Sequence, residues 1–261
     1  MTDKIRLDVL LTDSGLAPSR EKARAYIMAG EVLVNGKMID KAGTLVKADA
    51  EISLKSRSRF VSRGGEKLEA AFESFPISVE NKLCADVGAS TGGFTDCMLQ
   101  HGAAKVYAID VGYGQIALPL RNDPRVVLYE RTNARYLEAL PEKVSFATID
   151  ASFISLTILL PAVQKWLSTG HDVIALIKPQ FEAGKGDVGK GGVVRDPKIH
   201  RRVLYHVCEF AQAIGFQMNG LIISPLKGPA GNIEFLAWFS SIPVEHPNTL
   251  EHLVEAVVQF H

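Results

Sequence analysis

The chain has few means of cross-linking itself. Its 261 residues hold three cysteines, Cys84, Cys97 and Cys208, far apart and without C-x-x-C spacing. Cys84 and Cys208 sit in apolar runs. This pattern excludes a disulfide frame and reads as buried thiols in a reducing compartment. No cluster of His, Cys and carboxylate residues at ligand spacing is visible, so no metal is expected. The N-terminus, Met1-Thr-Asp-Lys-Ile-Arg-Leu-Asp8, carries no apolar signal region. The uncharged run Ala151–Gln164 is too short to cross a bilayer and contains Pro161. A cytoplasmic protein without membrane contact is the expectation. Repeats and low-complexity tracts are missing too. Net charge is zero, yet residues 1–67 hold thirteen Lys and Arg against nine Asp and Glu, and the remainder sixteen against twenty. A mildly basic front on a mildly acidic body suits a polyanion-facing arm as well as it suits ordinary solvated charge.

What is present is a globular composition, 47% hydrophobic and 22% charged, enough for a large domain alone or with a small one. The most informative stretch is Asp86-Val-Gly-Ala-Ser-Thr-Gly-Gly-Phe-Thr-Asp96. It follows an apolar run, Lys82–Val87, and precedes a helix-compatible run, Phe94–His101. Gly88, Gly92 and Gly93 allow a sharp turn and a close ligand approach. The helix start beyond them offers free N–H groups. A dinucleotide fold spaces this turn G-x-G-x-x-G. Here it is G-x-x-x-G-G, which fits a nucleoside with a carboxylate tail, such as S-adenosylmethionine, better than a pyrophosphate. Asp86, Gly88, Ser90, Thr91, Gly92 and Gly93 are the candidate contacts.

Residues 1–60 read as a separate module. Ile5 to Leu11 opens a short helix ended by Gly15. Ser19 caps a second helix, which Gly30 closes. Asn35-Gly36 between apolar strands is a hairpin signal, and a last strand lies near Glu51–Leu54. Arg6, Arg20, Lys22, Arg24 and Lys37 decorate the module, with Arg20 and Arg24 on one helix face. Arg6-Leu-Asp8…Leu11, followed by Ser19-Arg20…Ala23…Ile27…Gly30…Val32…Val34-Asn35-Gly36, resembles the S4 RNA-binding module. That resemblance implies contact of the five basic residues with folded RNA through shape and phosphates.

Residues 55–65 are polar and end in glycine, so they read as a linker, with Phe60 and Val61 pinning it to a larger domain over 61–261. Glu66–Phe75 has a helical apolar face of Leu68, Ala71, Phe72 and Phe75. From Lys82 onward strands and helices alternate. The strands are 82–87, 105–110, 126–129, 146–150, 172–177, 220–224 and 233–239, and helices are expected at 94–101, 115–120, 156–166, 197–214 and 250–260. This pattern predicts an α/β fold with a Rossmann-like, seven-stranded sheet of the methyltransferase type, joined to a small α+β N-terminal domain.

In such a sheet, ligands sit at the carboxyl ends of strands. Asp110 ends the second strand and is placed to accept hydrogen bonds from ribose hydroxyls. Asn133 follows the third, near a nucleobase, and Tyr113 is a candidate for stacking. Asp150 ends the fourth strand. Lys178 ends the fifth, directly after five apolar residues. Lys67 opens a helix where the dipole disfavours a cation. Glu234 opens the last strand among apolar neighbours and needs a partner. Gly184 to Lys190 spells most of a phosphate-binding loop, G-x-x-x-x-G-K. Gly191 replaces the required Ser or Thr and no helix follows, so a loop beside Lys178 that closes over a ligand is expected instead.

A second resemblance spans almost the whole chain. Ser62-Arg-Gly-Gly-x-Lys67, the glycine turn, Asp110-Val-Gly-Tyr-Gly-Gln115, Glu130-Arg-Thr-Asn133-Ala-Arg135, Asp150-x-Ser-Phe-Ile-Ser155, Lys178-Pro-Gln-Phe-Glu182 and Asn232-Ile-Glu234 occur in that order. Together they resemble the TlyA family, also called hemolysin A, which joins an S4 module to an FtsJ-like methyltransferase domain. The resemblance implies 2′-O-methylation of cytidine in ribosomal RNA, with S-adenosylmethionine as cofactor and ribosomal subunits as partners. It places the FtsJ-like catalytic Lys-Asp-Lys-Glu set on Lys67, Asp150, Lys178 and Glu234. Two other readings compete: a non-catalytic RNA-binding assembly factor and a membrane-active haemolysin. The intact four-residue set argues against the first. The lack of a span or signal argues against the second.

Overall fold

The computed structural model describes residues 4–54, 59–245 and 248–259. The chain divides into two compact units, Met1–Ser58 and Arg59–His261.

In the first unit, β1 (Lys4–Arg6) leads directly into α1 (Leu7–Asp13), and α2 (Arg20–Met28) follows. Ser19 caps α2, its hydroxyl accepting the Lys22 N–H at 3.2 Å. The hairpin forms between β2 (Val32–Val34) and β3 (Lys37–Met38), with Asn35 at φ 49° and Gly36 at φ 74°, the pair of left-handed residues that a tight type I′ turn requires. β5 (Ile52–Leu54) completes that sheet. The expected helix over Ile5–Leu11 is corrected at its start. Ile5 is a strand residue paired with Val46 of β4 (Leu45–Lys47), a strand that sequence alone missed. Only Val46 of those three points inward, too short a pattern to read. Leu7, Leu11, Ala23, Ile27, Val32, Val34 and Val46 form this unit's own core.

The second unit holds a seven-stranded sheet. Its strands are β6 (Leu83–Val87), β7 (Lys105–Ile109), β8 (Val126–Tyr129), β9 (Val144–Ile149), β10 (Leu167–Ile177), β11 (Gln217–Ile223) and β12 (Phe235–Ser240), in the order β11-β12-β10-β9-β6-β7-β8. β12 pairs antiparallel with both neighbours; the pairs among β6 to β10 are parallel. Side-chain alternation splits the core in two. Val173, Ala175 and Ile177 pack with α6 (Leu156–Gln164), α8 (Pro197–Ala213) and α9 (Leu250–Val258), whereas Ile174 and Leu176 pack with α3 (Gly64–Ser74) and α4 (Gly93–Gln100). The result is a sheet between two helical layers. Pro197 starts α8 behind the Asp196 cap. The helix expected over 115–120 is shorter, α5 (Leu118–Arg121): Ala117, its N-cap, has ψ 140°, and Pro119 stands in the first turn, where its missing N–H costs nothing. Residues 55–58 of the expected linker, and Phe260 of the expected last helix, lie outside the described residues. Phe60 is buried, and a Cβ on Gly65 would strike its ring at 2.2 Å, so this glycine admits the ring beneath α3.

The strand order reverses between β6 and β9, the switch point at which open α/β sheets form a crevice. Because β12 runs against β10, its first residues lie beside the last residues of β10; Ile177 faces Phe235. That register carries Glu234 and Lys178 to the same edge.

Candidate active site

The four predicted catalytic residues come together as two ion pairs. Lys178 Nζ lies 2.6 Å from Asp150 Oδ1 and donates to Ser152 Oγ at 3.0 Å. Lys67 Nζ donates to Glu234 Oε2 at 2.6 Å. Glu234 is 1% exposed and Lys178 8%. Charges this deep need partners, and each has one. Gln180, on the single turn α7 (Pro179–Glu182), donates to the second Glu234 oxygen at 3.2 Å. Gly228 leaves room for that carboxylate, since a Cβ there would lie 2.6 Å from Glu234 Oε1.

Two cavities meet at this edge. The first, about 470 Å³, is lined by Ser62, Arg63, Lys67, Thr91, Gly93, Asp150 and Lys227 among others. The second, about 720 Å³, is lined by Asp110, Gln115, Asn133, Phe153 and Phe181 among others. Gly88, Ser90 and Asp150 line both. A Cβ on Gly88 would lie 2.5 Å from the Asp150 carbonyl oxygen, so only glycine permits this contact between the turn and β9's end. Asp110 accepts the Ser90 N–H at 2.7 Å and the Gly112 N–H at 2.6 Å, which fixes the turn and the carboxylate together. Asn133 caps a 3-10 turn, accepting the Arg135 N–H.

Several of the predicted cofactor residues do not line the second cavity. Asp86 lines neither cavity. It shares the face of β6 that packs under α4, and its carboxylate accepts the hydroxyls of Thr95 at 2.6 Å and Thr148 at 2.9 Å. Burial pushes its carboxyl up to about 6. Gly92, at φ 95°, also lines neither cavity; a Cβ there would strike Leu120. Gly93 lines the first cavity, and it also permits α4 to meet α3, since a Cβ would lie 2.8 Å from Gly65 N. Tyr113 is away from both cavities, its ring under the Arg131 guanidinium at 4.3 Å.

Sequence reasoning left Ser152 and Phe153, which line the second cavity, without a role, and likewise Gln180 beside Glu234; all three stood inside quoted motifs. Phe153 is 89% exposed at φ 63°, a conformation rare for bulky residues, with its ring 4.8 Å from Phe181. Glu182, from the same motif, serves structure. It accepts the Ser155 hydroxyl and the Leu156 N–H at the start of α6, and burial raises its carboxyl. The loop after it forms a 3-10 turn, Lys185–Asp187, and a bridge from Gly189 to Val193; no helix begins before Pro197. Asn232 fastens this loop, accepting the Val194 N–H and donating to the Gly192 carbonyl. The structure also assembles one cluster that sequence spacing concealed. Glu69, Cys97 and His101 hold their ligand atoms within 4.8 Å of one another.

In the first unit, three of the five predicted RNA contacts converge on one buried acid. Arg6 donates to both Asp8 oxygens at 2.9 and 3.0 Å, Arg20 donates to Oδ2 at 3.2 Å, and Arg24 lies at 3.4 Å. The Arg6 hydrogen bonds, aided by Arg20, hold the Asp8 carboxyl at about 2 against burial. The arginine side chains remain 42–58% exposed. Lys22 and Lys37 are exposed and outside this cluster.

Residues 60–241 match the FtsJ-like methyltransferase family and residues 5–52 the S4 domain. YqxC of Bacillus subtilis is 52% identical, over 89% of this chain and 84% of that one. The Mycobacterium tuberculosis 16S/23S rRNA (cytidine-2′-O)-methyltransferase TlyA is 47% identical, over 91% of this chain and 90% of that one. A solved structure from Streptococcus thermophilus superposes with a TM-score of 0.73 at 46% identity, covering 98% and 96% of the two chains. With its S4 domain, its switch-point glycine turn and its paired Lys-Asp and Lys-Glu residues, the chain belongs to the FtsJ-like methyltransferases of the TlyA, or hemolysin A, family.

Proposed function

We propose that this enzyme transfers a methyl group from S-adenosylmethionine to the ribose 2′-OH of a cytidine in ribosomal RNA. The observation that carries the reading is the Lys178–Asp150 pair, because Asp150 lines both cavities. The second cavity fits a nucleoside. Asp110 offers a carboxylate suited to ribose hydroxyls, Asn133 a neutral polar group suited to a base, and the volume lies in the range of small-ligand sites, roughly 300–1,000 Å³. When bound, S-adenosylmethionine supplies an electrophilic methyl group. The first cavity presents Lys67, Arg63 and Lys227 to an anionic acceptor strand.

A ribose hydroxyl is a poor nucleophile until its proton is labile. An ammonium has three donors, and Lys178 uses two, on Asp150 and Ser152. The third is available to the hydroxyl oxygen, where a positive charge lowers the cost of losing the proton. Asp150 sets the direction of that donor. Lys67, held by Glu234, adds positive potential at the acceptor side. Much of the rate then comes from positioning. Phe153, exposed at the second cavity, offers a stacking face for an unstacked base.

The reading of the relatives as ribosomal RNA methyltransferases supports the acceptor class, and the S4 match supports folded RNA as the partner. Among the described residues no helix is long and apolar enough to cross a membrane. Mass mapping of ribosomal RNA after incubation with the protein and cofactor tests the proposal. The expected result is new methyl on cytidine 2′-oxygens. Methyl only on bases, or none on any subunit, overturns it.

A further inference from the structure

We propose that Glu69, Cys97 and His101 form a binding site for one divalent ion of the zinc class. Cys97 lies on α4 and His101 is its C-cap, four residues on, with the His101 N–H donating to the Cys97 carbonyl at 3.0 Å, so the two side chains share a face. Glu69 faces them from α3, with Cys97 Sγ at 3.6 Å and His101 Nε2 at 2.7 Å from the same oxygen, Oε2. Thiol, imidazole and carboxylate are the donor types of tetrahedral zinc, and three protein ligands leave one position for water.

The surroundings match what such a site needs. Arg59 holds the other Glu69 oxygen at 2.6 Å, which orients the carboxylate as outer partners of metal ligands do. The Phe72 ring lies 4.6 Å from the imidazole and closes the apolar side. Cys97 is fully buried, whereas a third of the His101 side chain is exposed, giving the ion a path inward. Binding replaces the thiol proton, which leaves to solvent as the sulfur–metal bond forms. The imidazole turns a bare Nε2 to the ion, its proton residing on Nδ1. Glu69 Oε2 exchanges the two hydrogen bonds for one metal bond.

The site lies at the crossing of two functional helices. α3 carries Lys67 two residues before Glu69, and α4 follows the glycine turn. An ion there braces the acceptor lysine to the turn, without entering either cavity. The inference rests on the cluster alone, so it stands or falls independently of the methyl acceptor.

Titration of the metal-free full chain with cobalt(II) tests it. The expected result is a thiolate-to-cobalt charge-transfer band that saturates at one equivalent and is displaced by zinc. Cys97→Ser should abolish the band. His101→Asn should weaken binding by ~10-fold or more. Cys84→Ser and Cys208→Ser should keep it. A band that survives in Cys97→Ser, or no band in the folded wild type, overturns the proposal. Should Cys97→Ser fail to fold, X-ray absorption at the zinc edge of the zinc-loaded wild type decides: one sulfur ligand at about 2.3 Å supports the site, and a shell of nitrogen and oxygen alone contradicts it.

Discussion

Lys67 and Glu234 are 167 residues apart in sequence and 2.6 Å apart in space. Their meeting follows from the antiparallel β12, whose start returns to the edge where the parallel strands end. The pair is nearly sealed, with 12% of the lysine side chain and 1% of the glutamate exposed. Buried pairs of this kind contribute little net stability, but removing one member strands the other.

Lys67→Met and Glu234→Gln should therefore each destabilise the protein by about 2–4 kcal/mol. The double variant should recover part of that loss, giving a coupling energy of ~1–3 kcal/mol in urea unfolding. Simple additivity would show that the two side chains do not interact in solution. Both single variants should lose methyl transfer even where folded.

Asp86 gives a pH dependence of defined sign. Its folded carboxyl sits at about 6 against an ordinary 3.8, raised chiefly by burial. Between these values the folded protein keeps a proton that the unfolded chain has lost. Its contribution to stability thus falls as pH climbs from 3.8 to about 6 and is flat above. Asp86→Asn keeps an acceptor for one threonine hydroxyl and removes the titration. The variant should flatten the stability profile in that window and be more stable at pH 7 by up to about 3 kcal/mol. An unchanged slope by thermal unfolding across the window contradicts this assignment.

That role for Asp86 was not legible in the sequence, and the reason is geometric. An acid at a strand end before a glycine turn reads as a ligand contact. Only the pleat, which pairs its direction with Cys84 and α4, shows that it faces Thr95 and Thr148. The sheet itself was legible because each of its strands is an apolar run between turn signals. β4 was not, having one inward residue in three. Lys178 could be singled out because five apolar residues precede it, and Asp150 because it ends the neighbouring strand. Glu69 could not be joined to Cys97 and His101, because the crossing of α3 over α4 is a tertiary fact. Gly65 and Gly93 permit that crossing.

Phe153 keeps an aromatic ring exposed on a left-handed backbone. If the ring served packing, its loss would destabilise the fold. Phe153→Gly relieves strain and forfeits one ring contact, terms of about 1 kcal/mol each, so stability should change by less than ~1 kcal/mol. Methyl transfer should fall ~10-fold or more, chiefly through a raised KM for RNA. A variant with unchanged kinetics assigns the ring no part in acceptor binding.

In the first unit, Asp8 gathers Arg6, Arg20 and Arg24 while leaving them exposed enough to reach phosphates. Arg20→Ala and Arg24→Ala should each weaken RNA binding. Each should also lower the slope of log affinity against log salt by about one contact, measured by filter binding at several salt concentrations. A weaker affinity with an unchanged slope would place these arginines away from phosphate.

Lys178, held by Asp150, is proposed to activate the acceptor hydroxyl without holding the methyl donor. The most direct measurement compares wild type with Lys178→Ala in two assays on the same preparation: calorimetric binding of S-adenosylmethionine and radiolabelled methyl transfer to ribosomal RNA. Cofactor affinity should stay within a few-fold of wild type while transfer falls by roughly 10²–10³-fold, the range expected when one hydrogen-bond donor to a developing oxyanion is lost. Transfer at the wild-type rate, or its loss explained fully by lost cofactor binding, contradicts it.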